Sequence, residues 1–456
     1  MSLQNEIERA VKYVNASLSI HSSVKRLNEQ EIYDKTIIVS EDLATHRFDF
    51  TRHRSTVLTQ GEKKRRVVHY EELSTESILC QYVKQMLDRQ IKVKYPNRNK
   101  VIHTLFDCLK AVKDMSSFTI IKYDFNDYFN SVSTTYVFEK YLSQVITNRF
   151  EFDLLRNFCQ QSEYAHIGLC TSNVISEIIA IDFDNQIRSL FASKGILFFE
   201  RYIDDTILIV NQHISNKDCH DLLRQALDSV FHDKSICADK PCKTKFNKSK
   251  YRYISRKDLK QTPSFDFLGY EFTFSQKKNN VLIKYGITQE KREKYNKRLS
   301  KMIADYKSNH DLELLRHRIS AFTSRTVYIS SRFHQSTWNV KGFISNYGEL
   351  RYLLETEFIE PDTKIFLESM VCDAFKTASI SLPYFIRGSK NQQGYNLYEN
   401  MLKNRTLLLV EQIGCDKGKM QNLCSQIGIK SKLSNGMEKS YRELVHQYLI
   451  KTFIGD

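Results

Sequence analysis

The sequence predicts an α+β fold, in which strands and helices interleave up to about residue 287 and helices alone follow. Three observations carry this. The stretches FTIIKYDF (118–125), ILFFERYIDDTILIV (196–210) and FDFLGYEFTF (265–274) are rich in β-branched and aromatic residues. Between the last two lies DCHDLLRQALDSVF (218–231), with apolar residues at helical spacing. From about 288 onward helical spacing dominates, with breaks at 331–348 and 384–394.

In chain order, residues 1 to about 55 read as helical and then irregular. STVLTQGEKKRRVVHY (55–70) reads as strand, turn, strand, with Gly61 at the turn and Lys63, Lys64, Arg65 and Arg66 opening the second strand. Residues 70–115 read as helix interrupted by KYPNRNK (94–100), where Pro96 and its Asn neighbours break the pattern. FTIIKYDF is a strand. A helix follows it, with Ser131 or Ser133 as cap. GLCTSNVISEIIAIDFDNQIRSLFASKG (168–195) is a loop leading into an amphipathic helix that Gly195 closes. The hairpin 196–210, a helix at about 214–232, a basic stretch at 239–260 and the strand FDFLGYEFTF complete the mixed part. A helix is expected at 399–413 within the all-helical remainder, and its apolar stripe reads as ordinary core.

The chain has 456 residues, with 41% hydrophobic and 12% aromatic residues and only 14 Gly and 5 Pro, which excludes collagen-like and linker-rich architectures. Its formal net charge of +15 favours polyanionic partners, nucleic acid first. No apolar run approaches the ~20 residues needed to span a bilayer. The polar opening MSLQNEIERAVKYVNASL lacks an apolar signal core, so a cytoplasmic protein is expected. The ten cysteines are scattered. Cys237 and Cys242 lie close, with His232 just before them, but no second close pair completes a zinc site, so reduced thiols are expected.

The chemistry centres on carboxylates. Asp204 and Asp205 sit at the tip of an apolar hairpin, and Asp124 ends an earlier strand. Adjacent aspartates are common in solvated turns. If the two strands lie side by side in one antiparallel sheet, however, three carboxylates meet at its edge. Their repulsion is relieved by divalent cations, and magnesium takes oxygen ligands shared with substrate phosphates. Two such ions about 4 Å apart suit an in-line nucleotidyl transfer.

KYDFNDYFNS (122–131), GLCTSNVIS (168–176), YIDD (202–205), CKTKF (242–246) and FLGYEF (267–272) occur in one order. In that order they resemble motifs A to E of the reverse transcriptases, over roughly residues 50–350. The resemblance implies right-hand polymerase-like fingers and palm with an antiparallel sheet, then a helical thumb and an all-α C-terminal domain. The expected parts are 1–115 (N-terminal and fingers), 116–285 (palm with finger insertions) and 286–456 (thumb and C-terminal domain). It implies an RNA-directed DNA polymerase using two magnesium ions, with manganese as an alternative. Asp124, Asp204 and Asp205 would be the catalytic metal ligands, joined by the backbone carbonyl of Phe125.

By the same resemblance, Phe129 is the aromatic gate that clashes with a 2′-hydroxyl. Gly168, Leu169, Ser172 and Ser176 fall in the loop holding the templating base and nucleotide. There Cys170 replaces the usual proline and Ser172 the usual second glycine. Lys243 matches a lysine near the leaving pyrophosphate, although it is one of nine basic residues in 239–260. The hairpin at 55–70 resembles the triphosphate-gripping fingers hairpin. Strand alternation lets only every second side chain face the nucleotide, which points to Lys64 and Arg66. Tyr202 and Ile203 are candidates for touching the primer end.

YPNR (95–98), GLCTSNVISEI, HRISAFTS (317–324) and WNVKGFISNYGEL (338–350) are most similar to the bacterial abortive-infection and defence-associated reverse transcriptases. Membership implies antiphage defence, dNTP substrates, an RNA template such as a small non-coding RNA and a DNA product. It also implies template-independent or protein-primed synthesis as an alternative, and a homo-oligomer or partner protein. From another class, the alternative is a catalytically idle RNA-binding protein.

Overall fold

The structure is a computed structural model and describes residues 2–18, 23–60, 63–237, 239–277, 280–332, 335–387, 395–433 and 436–453. Packing divides the chain into two units, residues 1–101 with 115–256, and residues 102–114 with 257–456. Motif order instead suggests divisions at 115 and 285.

The first unit opens with α1 (Leu3–Ser17) and α2 (Glu29–Ala44), the latter started by a capping box between Asn28 and Glu31. The hairpin β1 (Arg54–Gln60) and β2 (Lys63–His69) follows, then α3 (Thr75–Ile91) and α4 (Arg98–Val112), which runs across the division. The expected turn residue Gly61 lies outside the described residues. Next come β3 (Thr119–Asp124), the short α5 (Tyr128–Ser131) and α6 (Thr134–Val137), α7 (Arg149–Ser162) and α8 (Ser172–Phe191). The unit closes with β4 (Ile196–Tyr202), β5 (Asp205–Val210), α9 (Asn216–Phe231) and β6 (Arg252–Ser255). Ser133 is the residue that caps, its hydroxyl accepting from the Tyr136 N–H.

The four strands form one antiparallel sheet in the order β4-β5-β3-β6, the split β-α-β-β-α-β arrangement in which α8 and α9 are the crossover helices. All six residues of the central strand β3 are buried, so Ile120 and Ile121 each contribute roughly 1.5–3 kcal/mol of apolar burial. Gly195, at φ +67, makes the turn from α8 to β4; a Cβ there would lie 2.2 Å from the Asn211 side chain.

The second unit begins with β7 (Ser264–Phe267), β8 (Tyr270–Lys277) and β9 (Asn280–Ile287), an antiparallel sheet. Its alternate residues, among them Phe265, Phe267, Tyr270, Phe272 and Phe274, are buried. Phe106 of α4 packs on this face, 4.9 Å from the Tyr285 ring centroid. FDFLGYEFTF is therefore two strands rather than one. Leu268 and Gly269, at φ +51 and +87, form a primed two-residue turn that matches the strand twist.

The all-α expectation for the C-terminal part is also corrected. After α10 (Gln289–Asn309) and α11 (Leu312–Phe322), β10 (Arg325–Arg332) and β11 (Gln335–Lys341) form an antiparallel hairpin. Then come α12 (Phe343–Asn346), α13 (Pro361–Thr377), α14 (Leu397–Leu402) and β12 (Thr406–Leu409), which pairs parallel with β10. The helix expected at 399–413 ends at Leu402, because Asn404 turns the chain at φ +48 and TLLL joins the sheet. Last are α15 (Lys417–Gln426) and α16 (Tyr441–Thr452). Among the described residues no helix is long and apolar enough to cross a membrane.

Candidate active site

The β3–β5 register sets Asp124 directly opposite Asp205, and the β4–β5 register sets Tyr202 opposite Asp205. Ile203 and Asp204 are left as the two-residue turn. Ile203 has φ +63, a position where glycine is the usual occupant and a β-branched residue is strained. The tip is tied to the end of β3 through its backbone, since the Phe125 N–H donates to the Asp204 carbonyl at 3.3 Å. The Phe125 ring, buried below, stacks on Tyr128 (4.9 Å, 17°) and on Phe246 (5.6 Å, 13°), which fixes the backbone after Asp124.

Burial, and then the nearby charge of Asp124, raises the Asp204 carboxyl above its ordinary pKa, while Lys250 and Arg65 pull it down. Lys250 donates to Asp124 at 2.6 Å. Burial opposes the Lys250 charge, but the hydrogen bond to Asp124 and the three aspartates outweigh it and raise its pKa. The buried Lys122, from β3, lies 3.3 Å from Asp205 Oδ1. Among the described residues no three His, Cys, Asp or Glu side chains gather as in a formed metal site. The donor chemistry nevertheless fits a hard cation. It is all oxygen and negatively charged, its carboxylates crowd each other, and ammonium groups now neutralise two of them.

Sequence reasoning missed the group that holds the tip. Arg201, buried in β4, spends two edges of its guanidinium on α8: it donates to Glu177 at 2.6 and 3.0 Å and to Asp184 at 2.9, 3.0 and 3.1 Å. Its Nη1 also donates to the carbonyl of Ile203 at 2.9 Å. The strained turn is thus anchored to a helix by a charge-assisted bond. Burial pushes the Asp184 carboxyl up even against the opposing guanidinium. The available signal was an arginine just before YIDD and two acids two turns apart on the helix after GLCTSN.

Phe129, Tyr202 and Ile203 line a cavity of about 200 Å³ together with Tyr95, Asn173 and Ser176. Tyr128 also lines it, its hydroxyl donating to the Ser176 carbonyl at 2.8 Å. Gly168 lies elsewhere, against β2: at φ +107 its Cβ would meet the Val68 carbonyl oxygen at 2.3 Å. The loop pairs there, the Val68 N–H donating to the Ile167 carbonyl at 2.7 Å. Ser172 starts α8 with its hydroxyl on the His166 carbonyl at 2.5 Å, and Leu169 is buried. The Cys170 thiol sits 3.5 Å from that of Cys80; all ten cysteines are free thiols.

Lys243 is exposed, with its ammonium 4.6 Å from the Tyr164 ring and its pKa raised by that phenol. Its backbone N–H donates to the Ser131 carbonyl at 2.8 Å. Lys64, Arg65 and Arg66 are exposed on β2. Arg65 is the one whose charge bears on Asp204, and Arg66 bears on His166.

No family model matches the chain, and no curated protein does. Two solved structures similar to it are telomerases. Apo telomerase from Candida tropicalis, truncated from its C-terminal domain, is 12% identical with a TM-score of 0.33, over 53% of this chain and 59% of that one. Telomerase from Candida albicans in complex with a TWJ fragment of telomeric RNA is 12% identical with a TM-score of 0.37, over 93% of this chain and 69% of that one. The alignment thus spans 59% of the first telomerase chain.

Proposed function

We propose that the chain is an RNA-directed DNA polymerase of the reverse-transcriptase class, joining a 3′-hydroxyl to a dNTP at the β4–β5 tip with release of pyrophosphate. One observation carries the reading: Asp124 and Asp205 face each other across two strands, with Asp204 in the adjoining turn. Asp124, Asp204, Asp205 and the Phe125 carbonyl would hold two magnesium ions. Bound there, the ions lower the pKa of the attacking hydroxyl and neutralise charge on the phosphoryl oxygens.

The chain's own groups do the rest. Phe129 lies beneath the sugar and excludes a 2′-hydroxyl. Tyr202 and Ile203, on the same cavity, seat the primer end. Of Lys64, Arg65 and Arg66, those on one face of β2 offer charge to the triphosphate, and the exposed Lys243 can give a proton to the departing pyrophosphate. The loop at Gly168 and Ser172 acts through position, holding β2 and the start of α8 together. A role in bacterial antiphage defence in the cytoplasm, with a small RNA as template and an oligomer or partner protein, rests on the sequence motifs.

A second reading has its own observation. Lys250 and Lys122 already neutralise Asp124 and Asp205, as they would in an RNA-binding protein without turnover. The full chain with magnesium, dNTPs and a range of templates and primers, including RNA copurified from its host, separates the two. Wild type should incorporate dNTPs, and a protein carrying Asp204→Asn and Asp205→Asn should fall to background. Equal silence of both would leave the RNA-binding reading. Incorporation of any single dNTP without RNA would indicate template-independent synthesis.

A further inference from the structure

The second unit holds a cavity of about 480 Å³, within the size range of small-molecule sites. Part of its wall is apolar, from Ile319 of α11, Leu407 of β12, Leu423 of α15 and the ring of Phe385. Its charged side chains, Arg316 and Arg405, are both cationic. His317 is buried, with one ring nitrogen 2.9 Å from Gln426 Oε1 and the other 2.8 Å from the Tyr448 hydroxyl. Burial, with the charge of Arg316 beside it, holds His317 below the usual imidazole range, so it is a neutral ring with both nitrogens used.

Arg316 is engaged with Glu313 (2.6 and 2.9 Å) and with Gln426 Oε1 (3.3 Å). With that oxygen accepting, the Gln426 amide keeps its NH₂ donors. Ser320 supplies a hydroxyl. Arg405 lies 5.2 Å over the Tyr395 ring and makes one long bond to Asn400, at 3.4 Å. Among the described residues it forms no ion pair with a carboxylate, and no carboxylate lines the cavity. The uncompensated cation Arg405 and the Gln426 amide donors favour a ligand that carries a negative charge and acceptors. The volume of about 480 Å³ exceeds what a bare anion fills, and the Tyr395 and Phe385 rings suit a flat body.

We propose that this cavity binds a nucleoside 5′-monophosphate, its phosphate on Arg405 and the Gln426 amide and its base against the Phe385 side. The site is separate in sequence and unit from the aspartate tip, so it stands whether or not the tip is a polymerase site.

Isothermal titration of the full chain with AMP, in EDTA to silence divalent-dependent binding at the aspartates, tests it. AMP should bind saturably with one site per chain, and adenosine and inorganic phosphate each far more weakly. Arg405→Ala, at an exposed position, should weaken AMP by roughly tenfold or more through loss of a charge-assisted bond. Gln426→Glu keeps the acceptor for His317 and Arg316 but replaces the donor by a charge, and should abolish AMP binding with the circular dichroism spectrum unchanged. Asp204→Asn with Asp205→Asn should leave AMP affinity as in wild type. Absence of saturable AMP binding overturns the proposal, as does phosphate binding as tightly as AMP. So does AMP binding that survives both cavity variants or disappears with the aspartate variant.

Discussion

At the residue scale, the decisive side chain is one the motifs do not contain. Arg201 is almost fully buried between two carboxylates and the Ile203 carbonyl, and it serves both the stability of α8 against β4 and the shape of the turn. Removing one partner of a buried ionic group leaves the others uncompensated, so Arg201→Met should cost about 3–5 kcal/mol in urea unfolding. Adding Glu177→Gln and Asp184→Asn removes the stranded charges, and much of that stability should return. The donor to Ile203 does not return with it. The triple variant should therefore regain stability while dNTP incorporation stays low. Recovery of both together would show that Arg201 matters to packing alone.

At the element scale, the hairpin β4–β5 and the loop before α8 are held by close backbone approach. Gly168 has both a positive φ and no room for a Cβ, with Val67 Cγ1 at 2.5 Å and the Val68 oxygen at 2.3 Å. Gly168→Ala should destabilise the first unit by roughly 2–4 kcal/mol, the sum of backbone strain and overpacking. Hydrogen exchange should show the loss at the Val68 amide first, since its bond to Ile167 is the one pushed apart. Elements of this kind differ in how far sequence reveals them. β3, α8 and the 196–210 hairpin were legible because period and β-branching are local properties, and they place the three aspartates. β12 was not, since its parallel pairing with β10 joins segments far apart in the chain and TLLL alone fits a buried helix as well as a strand. The Arg201 anchor was equally hidden, because it is made by side-chain geometry across two elements rather than by spacing within one.

At the scale of the whole molecule, a surplus of 15 positive charges and an acidic tip are opposite demands on one surface, and β2 shows how a strand can divide them. Neighbouring residues of a strand point to opposite faces, so Arg65 and the pair Lys64 and Arg66 cannot serve the same partner. Arg65 is the β2 cation whose charge bears on Asp204, so under the polymerase reading it would meet the triphosphate, with Lys64 and Arg66, expected from the sequence to do so, turned instead to a nucleic-acid backbone. The two roles have different signatures. Each phosphate contact on a single strand contributes about 0.7 to the slope of log affinity against log salt. Lys64→Ala with Arg66→Ala should therefore flatten that slope for single-stranded RNA by roughly 1.4, with little change in the KM for dNTPs. Arg65→Ala should do the reverse, raising the KM and leaving the slope almost as in wild type. Filter binding between 50 and 300 mM salt, about the range over which such slopes are read, and steady-state incorporation on the same preparations make the comparison. If Lys64 and Arg66 instead govern the KM, the strand presents its other face to the nucleotide, and the influence of Arg65 on Asp204 is only proximity.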